Sequence, residues 1–307
     1  MPPADTRMSA LDWLLLAALS ILWGGSFLFG RIAVAEVPPL TLVLARVGIA
    51  ALALHVVLRV MGISFAPGPA GWRDYLAMGT LNNLVPFGLI FFGQIEIGAG
   101  LAAVINGMTP FWSALMARAA GVERLSLRKA TGVLLGFGGL AVTVGPAALD
   151  GLDAPLIAQF AVVAATVSYG AASVFGRRFK GQPPLLTATG QLTASSLLVL
   201  PLALIVDMPW TLATPGAAIL GAVLGLALLS TALAYILYFR VLASAGATNV
   251  ALVTLLIPVS AIALGALVLG EAVEPRQIGG MALIALGLAV IDGRVTALLG
   301  TARSAGG

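Results

Sequence analysis

The chain has 307 residues, 60% of them hydrophobic and 9% charged, whereas a water-soluble domain carries about 25% charged residues. Its net charge of +4 and pI near 10.0 would point to nucleic acid in a soluble protein, but the basic residues stand in short segments between apolar runs, so no nucleic-acid partner is expected. The lack of cysteine excludes a disulfide framework and a thiolate metal site.

A helix needs about 20 apolar residues to cross the hydrocarbon layer. Clusters of Gly, Pro and charge divide the chain into ten such runs, at 11–34, 40–61, 73–95, 100–119, 127–145, 155–176, 185–206, 215–242, 247–269 and 276–295. The first run follows Arg7 as a signal peptide would, yet 11–34 is too long for a cleaved apolar core. The eighth has length enough to tilt or protrude. The pattern predicts an all-α integral membrane protein of ten transmembrane helices, which leaves little chain for a soluble domain. Of the sixteen Lys and Arg, thirteen fall on the N-terminal side when the spans are followed through. Arg31 and Arg276 fall opposite, and Arg46 lies within the second span. Such a bias places both termini in the cytoplasm. Arg in excess of Lys, with abundant Ala and Gly, points to a GC-rich bacterial genome and hence to the inner membrane of a bacterium.

The chain repeats itself. Trp23, Gly24, Phe29, Gly30 and Arg31 recur about 146 residues later as Tyr169, Gly170, Phe175, Gly176 and Arg177. Pro38, Pro39 and Leu40 recur as Pro183, Pro184 and Leu185. Gly98, Pro110, Glu123, Arg128, Gly132 and Gly139 match Gly246, Pro258, Glu271, Arg276, Gly280 and Gly287 at a constant offset of 148. Two halves of five spans follow, 1–147 and 148–307, and an odd number per half turns the second upside down. Inverted repeats of this kind place a solute site at the interface of the halves and favour a carrier over a scaffold or a membrane enzyme.

Polar groups in hydrocarbon are costly, so those within spans are the candidate site. Arg46, whose repeat counterpart is the neutral Gln191, either attracts a substrate carboxylate or snorkels to tie helix ends. Asn82 and Asn83 precede Pro86, which removes a helix hydrogen bond and permits a kink. Their counterparts are Ser230 and Thr231, with Tyr235 and Tyr238 further along the same span. These groups line a cavity or bond helix to helix. In the fourth span Asn106, Thr109, Pro110, Trp112 and Ser113 correspond to Thr254, Pro258 and Ser260 of the ninth, where the prolines mark bends. Trp23 and Tyr169 offer rings either to a solute or to plain helix contacts. Gly132, Gly136, Gly139, Gly279, Gly280 and Gly287 form close-approach surfaces in spans five and ten. Glu123 and Glu271 lie at loops, to cap, to pair or to gate. His55 is read as structural.

These residues resemble the EamA-type members of the drug/metabolite transporter superfamily. The resemblance covers nearly the whole chain and rests on Trp23-Gly24-Gly25-Ser26-Phe27, Arg46, Thr109-Pro110, and Gly270-Glu271 followed by Gln277, Gly280, Leu283, Ile284 and Gly287. It implies a central cavity lined by helices one to four and six to nine, with five and ten peripheral. Within the family the chain is most similar to the YddG-like branch, which exports aromatic and other amino acids.

No nucleophile, metal-ligand or phosphate-loop pattern is present, so neither an enzyme nor a cofactor is expected. The expected function is an alternating-access carrier that exports small metabolites, amino acids foremost, with the lipid bilayer and the solute as its partners and a monomer as its state. Asp12, Glu36, Glu96, Asp207, Glu271 and Asp292 all fall at span ends, which favours facilitated diffusion over a proton relay. Sugar phosphates and drugs are the alternative cargoes, and a non-transporting membrane scaffold or sensor the alternative role. The charge bias makes a topology prediction. In a chain without native cysteine, Ser126→Cys in intact cells should stay unlabelled by a membrane-impermeant thiol reagent and become labelled once the cells are opened.

Overall fold

A computed structural model describes residues 8–122, 126–145, 154–250 and 252–292. These residues are helical throughout apart from short connections, and no strand occurs among them. The spans are α1 (Ala10–Ala33), α2 (Pro39–Val60), α3 (Pro69–Glu96), α4 (Ala99–Ala119), α5 (Leu127–Val144), α6 (Ala154–Phe179), α7 (Pro184–Asp207), α8 (Ala217–Gly246), α9 (Val253–Leu269) and α10 (Pro275–Asp292). The first eight are long and apolar enough to cross a membrane, and α9 and α10 are shorter apolar helices. Large side chains such as Leu52, Val56, Val60 and Leu267 stand exposed, as a lipid solvent allows.

Local chemistry sets the helix ends. Ser9 and Asp12 form a reciprocal capping box at the start of α1. Pro39, Pro69 and Pro184 sit in the first turns of α2, α3 and α7, where a missing N–H costs nothing. For that reason α3 begins before the expected residue 73, since a proline read as loop starts the helix. Conversely α9 begins after the expected 247: Gly246 takes φ 81°, a short helical stretch runs to Val250, and a turn at Leu252 precedes Val253.

Contacts between spans follow the repeat. Helix α1 packs on α9 as α6 packs on α4, and α3 packs on α6 as α8 packs on α1. The self-related pairs α2 with α7 and α5 with α10 meet each other. This is a five-plus-five inverted repeat, every major contact having its counterpart. The division between residues 147 and 148 lies outside the described residues.

Helices α5 and α10 approach backbone to backbone. A Cβ at Gly139 would lie 2.7 Å from the Gly280 carbonyl, and one at Gly287 would lie 2.7 Å from the Gly132 carbonyl. Gly136 is backed by the ring of Phe111 from α4. Added side chains must therefore force the pair apart, an overpacking cost of about 1–3 kcal/mol. Gly139→Val should lower the melting temperature of the purified protein, whereas Gly138→Val, with nothing within 4 Å, should leave it nearly unchanged.

Candidate functional site

Arg46 lies on α2 and is only 6% exposed. Its Nε donates to Thr231 Oγ1 of α8 at 3.0 Å, and its guanidinium carbon stands 3.6 Å from the centre of the Phe87 ring and 5.9 Å from that of Phe91, both on α3. Stacking on rings satisfies a desolvated guanidinium better than alkyl surroundings do. No ion pair joins Arg46 to a carboxylate among the described residues. Its two Nη groups make no hydrogen bond among the described residues, yet neither is sealed from space. A buried cation with open donors and no counter-ion is the defining feature of the site.

Thr231 reaches Arg46 because α8 is widened there. Residues Gly225–Leu233 form π-helix, and Thr231 Oγ1 donates to Leu226 O, five residues back, at 2.8 Å. The first half repeats the device: Thr80–Leu84 of α3 is π-helical, at the register of the widened segment in α8. Single π-turns cluster at functional positions because they re-aim side chains and free carbonyls. In α3 the turn ends just before Pro86, which has no N–H to return to a carbonyl four residues back. In α8 the matching position is Ala234, so proline is not required for the widening.

The π-turn of α3 carries Asn82 and Asn83 toward α7. Asn82 Nδ2 donates to Gln191 Oε1 at 3.1 Å and to Tyr235 Oη at 3.2 Å, and Gln191 Nε2 donates to Tyr235 Oη at 3.3 Å. One amide from the first half and two side chains from the second thus close a triangle. Both lone pairs of the Tyr235 hydroxyl are occupied, which leaves its O–H free to donate. Asn83 is different. Fully buried, it donates to Ser195 Oγ at 2.9 Å and holds α3 to α7.

Aromatic rings stand beside this group. Trp23 of α1 lies 5.5 Å from Tyr238 of α8, Tyr238 lies 5.3 Å from Phe239, and Phe239 stacks 5.9 Å from Tyr235. Tyr169 of α6 and Tyr235 are the electrostatic neighbours of Arg46. The sequence-derived set therefore divides. Arg46, Asn82, Gln191, Tyr235, Tyr238, Trp23 and Tyr169 gather where the halves meet. Trp112 instead stacks edge-on with Phe137 of α5 at 5.2 Å, its backbone against Gly170. Asn106 ends the first segment of α4 and its Oδ1 is buried without a partner. Pro110 opens the second segment of α4 after a break at Gly107 and Met108, while Pro258 lies within an unbroken α9. The break in the second half sits instead at Leu252, so the prolines do not bend the two helices alike.

Apart from this cluster, a pocket opens on the face opposite the termini. It has a volume of about 800 Å³ and is lined by helix ends of both halves, among them Arg31, Glu96, Gln159, Glu271 and Arg276. Glu271 accepts from the N–H groups of Ala99 at 2.8 Å and Gly100 at 3.1 Å, capping α4. Gly98 and Gly265 leave room for its carboxylate, which a Cβ at either would meet. Glu123 lies outside the described residues. Phe87, Phe91 and the π-turns escape sequence reading, because phenylalanines four apart in an apolar span look like a lipid face.

An inverted repeat of ten helices with a polar cluster between its halves defines a membrane carrier architecture. The chain matches the EamA-like transporter family over residues 11–145 and again over 156–292, and it belongs to that family, whose members are transporters and not enzymes. It is 23% identical over 278 residues to the "Uncharacterized transporter YoaV" of Bacillus subtilis, covering 89% of this chain and 94% of that one. It is 26% identical over 299 residues to the "Probable amino-acid metabolite efflux pump" of Salmonella typhimurium, covering 92% and 94%. A crystal structure at 19% identity superposes with a TM-score of 0.66 over 90% of this chain and 96% of that chain, a likeness of fold alone.

The Arg46 contact yields a stability prediction. Thr231→Val keeps the shape and removes the one acceptor of Arg46 Nε among the described residues, and an unpaired buried donor costs about 1–3 kcal/mol. The melting temperature should fall in Thr231→Val and be preserved in Thr231→Ser.

Proposed function

We propose that this chain is an alternating-access carrier that exports small carboxylate-bearing metabolites, foremost amino acids with apolar or aromatic side chains, across a bacterial inner membrane with both termini in the cytoplasm. The observation that carries the proposal is the buried Arg46 guanidinium, which pairs with no carboxylate among the described residues and whose Nη donors are open. A substrate carboxylate supplies the missing counter-ion, and the free O–H of Tyr235 is a second donor to it. Trp23, Tyr238 and Phe239 offer ring faces to an apolar or aromatic side chain. The printed name of the Salmonella relative agrees with this cargo class. A sugar phosphate would call for several cations, and Arg46 is the one basic residue within a span centre.

Every member of the cluster comes from one chain, so a monomer suffices, and helices contributed by both halves on either side of residue 147 rearrange around it. Transport runs down the substrate gradient, since Asp and Glu stand at span ends. The test is counterflow of a radiolabelled amino-acid panel in proteoliposomes. Phenylalanine and leucine should exchange. Arg46→Gln should slow exchange by tenfold or more, the equivalent of about 1.4 kcal/mol, and Tyr235→Phe should slow it less. Wild-type exchange in Arg46→Gln would overturn the assignment.

A further inference from the structure

The pocket on the face opposite the termini is not part of the Arg46 cluster, and sorting its charged groups by their bonds leaves two that are unspent. Glu271 is committed to capping α4, with both oxygens on backbone N–H groups. Arg276 pairs with Glu274 and reaches the Val144 carbonyl at 3.3 Å. Arg31 uses Nη1 alone, on the carbonyls of Gln94 at 2.6 Å and Ile95 at 2.9 Å, which are the unpaired acceptors of the last turn of α3. Its Nη2 and Nε bond to nothing among the described residues. Glu96, at the end of that same turn, is exposed and makes neither hydrogen bond nor ion pair among the described residues. One cation and one anion thus line one pocket with no ion pair between them among the described residues.

A third group points the same way. Gln159 of α6 lines the pocket while only 7% exposed, and its amide makes no hydrogen bond among the described residues, with Oε1 buried and unpartnered. A buried amide without a partner costs free energy that an arriving ligand recovers. Most of the remaining lining is apolar.

We propose that this pocket is a second docking site, specific for a small zwitterion, in which the α-carboxylate meets Arg31, the α-ammonium meets Glu96 and the Gln159 amide fixes the ligand between them. The assignment of an amino-acid ligand rests on the function proposed above. It adds a distinction between the two sites. The Arg46 cluster reads the carboxylate and the side chain, whereas the outer pocket also reads the amine. In the export direction it is the last station before release, and an opposing charge pair there discriminates free amino acids from their N-acylated or decarboxylated analogues.

Equilibrium binding of radiolabelled phenylalanine to the purified full chain in lipid nanodiscs tests this, with proteoliposome exchange measured in parallel. Two binding events per chain are expected. Arg46→Gln should abolish one, and Glu96→Gln should weaken the other by about tenfold or more. N-acetylphenylalanine, which lacks the ammonium, should bind once, with an affinity that Glu96→Gln leaves unchanged. If Glu96→Gln lowers the melting temperature, Gln159→Leu decides instead, with the same selective loss expected. A single event insensitive to both variants, in a protein that still exchanges amino acids, overturns the docking site and leaves the proposed function standing. Two events without any exchange refute the function and keep the site. No binding by a protein of undiminished melting temperature overturns both.

Discussion

The fold is organised around one expensive group. A guanidinium near the middle of a span carries an insertion cost of about 2.5–3.5 kcal/mol, and Arg46 bears it without a carboxylate partner among the described residues. Its surroundings reduce that cost in pieces. Phe87 presents a ring face from α3, Thr231 presents a hydroxyl from α8, and α2 itself is held against α7 by the self-related contact of the repeat. A carboxylate in this position would neutralise the charge, and a chain so arranged would have nothing left to offer an anion. Leaving the cation half satisfied keeps its Nη donors unspent, with Phe87 and Thr231 limiting the penalty.

That arrangement depends on the two π-turns. In a regular α-helix Thr231 would be displaced by about 100° around the axis relative to a register one residue longer, and its hydroxyl would not bridge Leu226 and Arg46. The widened turns occur at matching positions of α3 and α8, so they belong to the duplicated unit and not to one half. What differs is the pair they face. In the second half Thr231 meets the charged Arg46, whereas in the first its counterpart Asn83 meets the backbone carbonyl of the neutral Gln191 and Asn82 meets the Gln191 side chain. A symmetric scaffold thereby holds an asymmetric site, with charge on one side and a hydrogen-bonded amide and phenol on the other.

The spans and the inversion are legible in the sequence, because apolar length and repeat register are both periodic signals, whereas Arg46, Asn82, Gln191 and Tyr235 stand out there only as polar groups within spans. The sequence's limits were geometric. Asn82 and Asn83 are adjacent and chemically alike, yet one faces Tyr235 and the other is sealed against Ser195, a difference of rotation that composition does not carry. Trp112 was grouped with the site by its neighbours Thr109 and Pro110, but a helix turns 100° per residue, and the ring points to Phe137. Pro258 was expected to bend α9 as Pro110 bends α4. Instead it is absorbed in the second turn of the helix, and the chain breaks earlier, after Gly246 has taken a left-handed φ that suits glycine.

The carboxylates at the span ends have a common use that explains their absence from the centre. Glu36 accepts from the Gly216 N–H at 3.0 Å, Asp207 from the Thr41 N–H at 2.6 Å, and Glu271 from Ala99 and Gly100. Each joins one half to the N-terminus of a helix in the other, all on the face opposite the termini. On the near face Asp12 of α1 accepts from Ser244 of α8 at 2.6 Å, again across the halves. Charge–helix contacts of this kind contribute about 0.3–1 kcal/mol each when exposed. The large apolar core is itself built by both halves, since the main helix contacts run between them. The carboxylates add modest polar ties at the two faces, at helix ends where water can reach them, and leave the centre to the uncompensated Arg46.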